Sequence, residues 1–444
     1  MNPGPGRLSL IQAVSLAVGT MIGASIFSIF GLGARIAGHN LPLVFIVSGL
    51  VALLVAYSYA WLGSRIVSDA GPMEFIIRAF GTNLLTGALS FLFWFTYVIS
   101  IALFAKGFAG YFLPLLPGPD TPGLASIVEV TVVLAFTGLG VMGSASVGRA
   151  EFWIVAIKLG ILLLFVVLGI WTIRIERILP HFSGPDITGI LDATAIFFLS
   201  YMGFGLVTNA SEHMQDPRRN VPRAIYLSIL VVSIVYVLVA VVAVGNLPLS
   251  ELVRARDFAL AEAARPFLGN GGYLLVSWGA LFSIASALNA TLYGGANVAY
   301  ALARDGVLPR TFDRKLWFGS LEGLYITAGL GIVFALLFNL NGIAAITSSV
   351  FMVIYLFVLA SHWRLQKRHG GNRWIIGLGF LVVLAVFLLL IRYQWQTARD
   401  AFYATGLVLA GSLLTEAIYF RITRRRLQRR TPATAHTARR GQPS

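Results

Sequence analysis

Val18-Gly19-Thr20-Met21-Ile22-Gly23-Ala24-Ser25-Ile26-Phe27 lies in the middle of the first long apolar segment of the chain. Backbone groups inside a bilayer must be satisfied by the helix that carries them. Two glycines with Thr20 and Ser25 at mid-depth are therefore costly unless the backbone opens there for a purpose. A second interruption, Ser200-Tyr201-Met202-Gly203-Phe204-Gly205, falls in the sixth apolar segment. For one such stretch, close helix packing through small residues is the ordinary account. Two glycine-interrupted helices at matching places in two halves of a membrane chain form the pattern of a transport site between the breaks, at the bilayer midplane.

The rest of the chain supports a membrane setting. Of 444 residues, 57% are hydrophobic and only 11% charged, with a mean hydropathy of +0.82. That balance excludes a soluble globular domain and gives a polytopic, all-α integral membrane protein. Cysteine is absent, which excludes disulfides, thiol catalysis and cysteine-based metal sites. The first apolar segment has no small-residue cleavage site and reads as a retained helix, not a signal peptide. The net charge of +15 is spread over short loops and the tail 421–440, beside membrane segments. It carries topology and attraction to anionic lipid, and no nucleic-acid partner is expected.

Twelve segments are long enough to span a bilayer: 9–37, 41–62, 84–113, 127–141, 150–173, 190–209, 224–244, 272–303, 324–339, 343–363, 374–391 and 401–419. The fourth is the weakest. Residues 248–266 are amphipathic and charged and are expected to lie at the surface as a helix pair, not to span. Residues 421–444 read as a basic, disordered cytoplasmic tail after a transporter domain over 1–420. An even number of spans puts both ends on one side. That side collects 23 lysines and arginines against 8 on the other, which places both termini in the cytoplasm.

If the first span unwinds between Gly19 and Gly23, its second half begins near Ala24 and Ser25. Amides exposed at such a helix start suit a carboxylate, and carbonyls freed across the break suit a cation or ammonium. In the sixth segment, Ser200, Gly203 and Gly205 let the backbone open around Met202 and Phe204. Phe204 is placed to lie over a bound molecule, although an ordinary packing role is the default for one aromatic.

Lys158 stands nine residues after Arg149, about 13 Å along a helix, in the fifth span. A charged residue at that depth faces the bundle interior and marks function. Burial lowers a lysine's affinity for its proton, and lysine, unlike arginine, can release it. The chain has four lysines against 29 arginines, so lysine at this position suggests a need to titrate. Lys106, near the end of the third span, reads as snorkelling. Glu129 and Glu416 also sit near span ends. The histidines His39, His181, His213, His362, His369 and His436 fall in loops, span ends or the tail, which leaves no histidine relay and no metal site.

The first-span glycine string and Gly203-Phe204 resemble the motifs of amino acid permeases in the amino acid–polyamine–organocation (APC) superfamily. Two further strings agree: Asp216-Pro217-Arg218 with Val221-Pro222-Arg223-Ala224-Ile225, and Ala303-Arg304-Asp305-Gly306-Val307-Leu308-Pro309. The chain is most similar to the ApcT-type branch, which is proton-coupled, sodium-independent and broad in amino acid selectivity. Ser25 and Gly205 depart from residues common in the wider superfamily and leave the preferred amino acid open. The resemblance implies a LeuT-like 5+5 inverted repeat, about 9–173 and 190–363, with broken first and sixth helices and two extra C-terminal helices over about 374–419. It also implies that Lys158 stands where sodium-coupled relatives hold a sodium ion, bridging Gly19 and Ser283.

These readings combine into an expected proton-coupled amino acid symporter of the plasma membrane, with no cofactor and no metal. Its substrate site would comprise Met21, Ile22, Gly23, Ala24, Ser25, Leu199, Ser200, Met202 and Gly203, with Phe204 as gate. The alternatives are a proton-independent amino acid or polyamine exchanger and a non-transporting membrane sensor. An enzyme would need a polar catalytic set at mid-depth, and the sequence offers none.

Overall fold

The structure, a computed structural model, describes residues 8–68, 70–116, 123–141, 147–304, 312 and 322–423. The string 305–309 and the tail beyond residue 423 lie outside the described residues. Among the described residues, ten helical stretches are long and apolar enough to cross a membrane, and two shorter apolar helices, Leu124–Leu139 and Glu322–Leu337, occupy the fourth and ninth places. The chain is an all-α membrane protein. The face that carries residues 8 and 423 is called proximal here, and the opposite face distal.

The first span starts with a capping box, in which Ser9 and Gln12 satisfy each other's amides. It runs as Leu10–Met21, breaks at Ile22 and Gly23, resumes as Ala24–Ser28, and continues after a kink at Ile29 as Phe30–Ala37. The sixth span breaks differently from the open gap expected of it. An α-helix, Gly184–Phe197, passes into eight residues of 3-10 helix, Phe198–Gly205, and then into a last turn, Leu206–Asn209. A 3-10 run of that length inside a span is uncommon and tends to mark a hinge. The narrower helix keeps its amides bonded while it brings Gly203 up to the first span. At the proximal face, Leu8 and Met214 form an isolated bridge that ties the start of the first span to the link after the sixth.

The other spans frame these two breaks. The second span, Leu41–Gly63, packs along the seventh, Pro217–Asn246; the third, Leu84–Phe112, packs along the eighth and ninth. The fifth span, Val147–Gly169, passes beside the first half of the first span. The last two, Arg373–Thr397 and Arg399–Thr423, lie against the tenth, Leu340–His369, and extend the bundle.

Residues 248–266 correct the sequence reading. They form the helix Leu249–Ala255, a 3-10 turn Arg256–Phe258 and a helix that starts at Ala259 and bends at Gly269 before running on to Arg304. This segment does not lie on the surface: Leu252, Leu260, Ala263 and Ala264 are fully buried. Its alanine-rich face is flat enough to sink between the first and third spans; Glu251, Arg254 and Arg265 project from the other side, while Asp257 turns toward the third span. Gly269, at φ 61, turns the segment into the eighth span, a conformation that suits glycine because it lacks a β-carbon.

Candidate functional site

The break in the first span exposes carbonyl oxygens at Gly19, Met21 and Ile22, and side chains from three other spans occupy them. Lys158 of the fifth span is 2% exposed, and its ammonium donates to the Gly19 carbonyl at 2.5 Å. Ser283 of the eighth span donates to the Ile22 carbonyl at 2.8 Å. Tyr236 of the seventh span donates to the Met21 carbonyl at 2.5 Å, and Ser25 turns back to the same oxygen at 3.1 Å. The fifth, seventh and eighth spans thus each hold one carbonyl of a four-residue stretch. A break in a helix leaves acceptors that must find donors in a dry interior, and here three spans supply them.

The sixth span presents its own carbonyls across from these. The Ser200 oxygen lies 3.4 Å from the Tyr236 hydroxyl, and the Met202 oxygen accepts from Tyr355 at 3.3 Å. Tyr236 therefore stands between the two breaks, within reach of a carbonyl on each. Ser200 is 1% exposed and its hydroxyl has no hydrogen-bond partner among the described residues, an acceptor and donor left open at the seam. Leu199 and Met202 are buried beside it.

The two glycines differ in what surrounds them. A β-carbon at Gly203 would stand 2.8 Å from the Met21 nitrogen and 3.0 Å from Thr20 Cβ, so the two breaks touch backbone to backbone there. At Gly23 the nearest atoms, Ala287 Cβ and an edge carbon of Phe104, lie at 3.3 Å. Ala24 and Ser25 open the helix Ala24–Ser28, and their amides precede its first internal acceptor. Phe204 is fully buried, stacked on Tyr355 at 5.8 Å between ring centroids and edge-on to Tyr59 at 5.3 Å. It belongs to an aromatic cluster on the proximal side of the seam.

Lys106 differs from the sequence reading, and Glu416 and His362, both near span ends as expected, are buried. Lys106 does not snorkel: its ammonium meets both oxygens of Glu129, at 2.9 and 3.1 Å, and Glu129 is 4% exposed. Glu416 is buried against Gly87 of the third span, where a β-carbon would touch its carboxylate. His362 lies near the end of its span and is nonetheless fully buried between Ser58 and the Gly370 carbonyl. Among the described residues no three metal-ligating side chains converge.

Tyr236 and Tyr355 are the site residues that sequence reasoning missed. Their signal was a hydroxyl in the middle of an apolar span, which a buried tyrosine must pair. Nothing local distinguishes such a tyrosine from a packing aromatic, since its partners lie 215 and 153 residues away.

A family model described as amino acid permease matches residues 8–411. An uncharacterised protein of Methanocaldococcus jannaschii is 60% identical over 419 residues, covering 94% of this chain and 96% of that one. The inner membrane transport protein YbaT of Escherichia coli is 32% identical over 426 residues, 96% of this chain and 98% of its own. The branched-chain amino acid permease BcaP of Lactococcus lactis is 27% identical over 391 residues, 81% of this chain and 82% of its own.

Proposed function

The chain belongs to the amino acid permease family of the APC superfamily, and from that premise we propose that it imports amino acids together with protons, without sodium and with broad selectivity. It is a transporter of this family and not an enzyme. The substrate zwitterion sits between the two breaks. Its carboxylate meets the amides of Ala24 and Ser25. Its ammonium meets the carbonyls of Met21, Ser200 and Met202, and the Leu199 carbonyl beside them. Tyrosine hydroxyls rest on Met21, Ser200 and Met202 in this structure, so binding exchanges a neutral donor for a charged one, and charge-assisted hydrogen bonds are about twice as strong. The free Ser200 hydroxyl adds a contact that costs no existing bond.

The observation that carries the coupling is Lys158 on the Gly19 carbonyl, buried and within three residues of the break. Protonated, it supplies the fixed cation that would otherwise be a bound sodium ion, and it holds the first span against the fifth while Ser283 holds it against the eighth. Deprotonated, the amine keeps only weak donors, and the first half of the first span is released. The inverted pairing of spans one to five with six to ten supplies the two arrangements between which this release selects. The charge bias of 23 to 8 puts the proximal face in the cytoplasm of a plasma-membrane protein.

The test is uptake of labelled alanine into proteoliposomes with an imposed pH gradient, acidic outside, in sodium-free potassium buffer. Accumulation above equilibrium that a protonophore abolishes is the expected result. Uptake that requires sodium, or that ignores the gradient, rejects the coupling while leaving the family assignment intact.

A further inference from the structure

The segment between the seventh and eighth spans meets the first span through backbone. A β-carbon at Gly31 would stand 2.2 Å from the Arg256 carbonyl oxygen, and Arg256 itself adopts φ 46, a left-handed conformation that a non-glycine residue holds only when its surroundings impose it. The next residue, Asp257, presses on the third span: a β-carbon at Gly110 would lie 2.6 Å from Asp257 Cβ. Lys106 is four residues before Gly110 and so shares its face of the third span. Its ammonium is clamped by Glu129 of the fourth. Burial pushes the Asp257 carboxyl up to about 6, while charge from Arg256 and Lys106 favours its ionised form and charge from Glu129 opposes it, so the carboxylate is ionised at neutral pH. One residue beyond Gly110, the Tyr111 hydroxyl donates to the Phe27 carbonyl at 2.9 Å. The distal half of the first span, the third span and the inserted segment therefore converge around one charged cluster. Beneath it, Phe27 and Ser28 are buried.

We propose that Asp257 with the Lys106–Glu129 pair is an electrostatic latch, which holds the segment 249–258 over the distal mouth of the substrate path and sets how often that mouth opens. A close apolar plug alone would be held by shape. Here a carboxylate on the inserted segment packs on the third span at Gly110, one turn from the lysine of an ion pair, and a low local dielectric magnifies charge interactions of this kind. The pair between Lys106 and Glu129 keeps the ammonium in place when the segment leaves, so the latch can re-form. The proposal deepens the transport reading and rests on it for the meaning of an open mouth.

The chain contains no cysteine, so single reporters carry no background. Ser28→Cys and Ala34→Cys, both in the distal half of the first span, are labelled in intact cells with a membrane-impermeant maleimide. Phe182→Cys, 68% exposed on the distal face, reports orientation. Asp257→Asn removes the charge at nearly constant shape; Lys106→Met with Glu129→Gln removes the pair without leaving a lone buried charge. Both backgrounds should raise the labelling rate of both reporters, by about fivefold. Rates unchanged in either background overturn the latch. The readout needs no substrate, so it stands apart from alanine uptake, whose absence in the unmutated protein would instead reject the transport reading.

Discussion

Gly203 of the sixth span and Met21 of the first stand so close that a β-carbon on Gly203 would lie 2.8 Å from the Met21 amide nitrogen. Backbone cannot move aside as a side chain can, so this contact sets the width of the seam in which the substrate is proposed to bind. Gly23, on the other side of the break, is merely tight, with its nearest neighbours at 3.3 Å.

Substitution at these two glycines should therefore be unequal. Gly203→Ala should already prop the breaks apart and reduce the thermal stabilisation that alanine or serine gives the purified protein. Gly23→Ala should be tolerated, because Phe104 and Ala287 need yield only a few tenths of an ångström. Leucine should abolish ligand-induced stabilisation at both. Melting curves with and without amino acid check this, and a Gly203→Leu protein that still responds to ligand would reduce the contact to packing.

Lys158→Ala should end accumulation driven by a pH gradient, to the level of protein-free liposomes, while the protein remains folded. Lys158→Arg should fail as well, since its charge persists but cannot be released at any working pH. A cation with a purely structural role would instead be replaced better by arginine than by alanine. The pH dependence of uptake in the two variants separates these cases.

Tyr236→Phe should lower stability by about 1 kcal/mol, the net worth of a typical hydrogen bond. The loss stays small because the Met21 carbonyl keeps Ser25 and the Gly23 amide as donors. Ser25→Ala should cost less, since its bond is a local turn-back onto its own segment. Thermal melting in detergent orders the two. If the hydroxyl is the donor that the substrate ammonium displaces, the Phe variant also changes the dependence of uptake on amino acid concentration severalfold.

His362→Leu should destabilise by roughly 1–3 kcal/mol, because it strands the buried Ser58 hydroxyl and the half-buried Gly370 carbonyl. A carbonyl only accepts, so Nε2 carries the proton and Nδ1 receives the Ser58 hydroxyl at 2.9 Å. Tyr57 and Trp61 stack on the ring and fix it. The residue ties the second span to the tenth two turns past Tyr355, about 10 Å along the helix, so uptake per folded molecule should change little. Melting temperature and uptake measured on the same preparation check both halves of the statement.

The span plan and the positions of the breaks were legible in the residues alone. A bilayer imposes a length of about 20 apolar residues on every helix that crosses it and penalises glycine and hydroxyl residues at mid-depth. Both rules act along the chain, so Gly19, Gly23 and Gly203 could be singled out without a partner in view. Lys158 was legible for the same reason, since depth follows from counting residues. What only the tertiary structure decided concerns partners. Tyr236 and Tyr355 joined the site because three-dimensional packing brought their hydroxyls to carbonyls in distant spans, a relation with no local signature. Residues 248–266 read as a surface pair because their charges were visible, while the groove that buries their alanine face is made by the first and third spans. Lys106 read as snorkelling because its partner, Glu129, sits on another helix. The energy of a charge or a hydroxyl in a membrane depends on what faces it. Sequence spacing locates such a group, and the packing of helices against one another selects its partner.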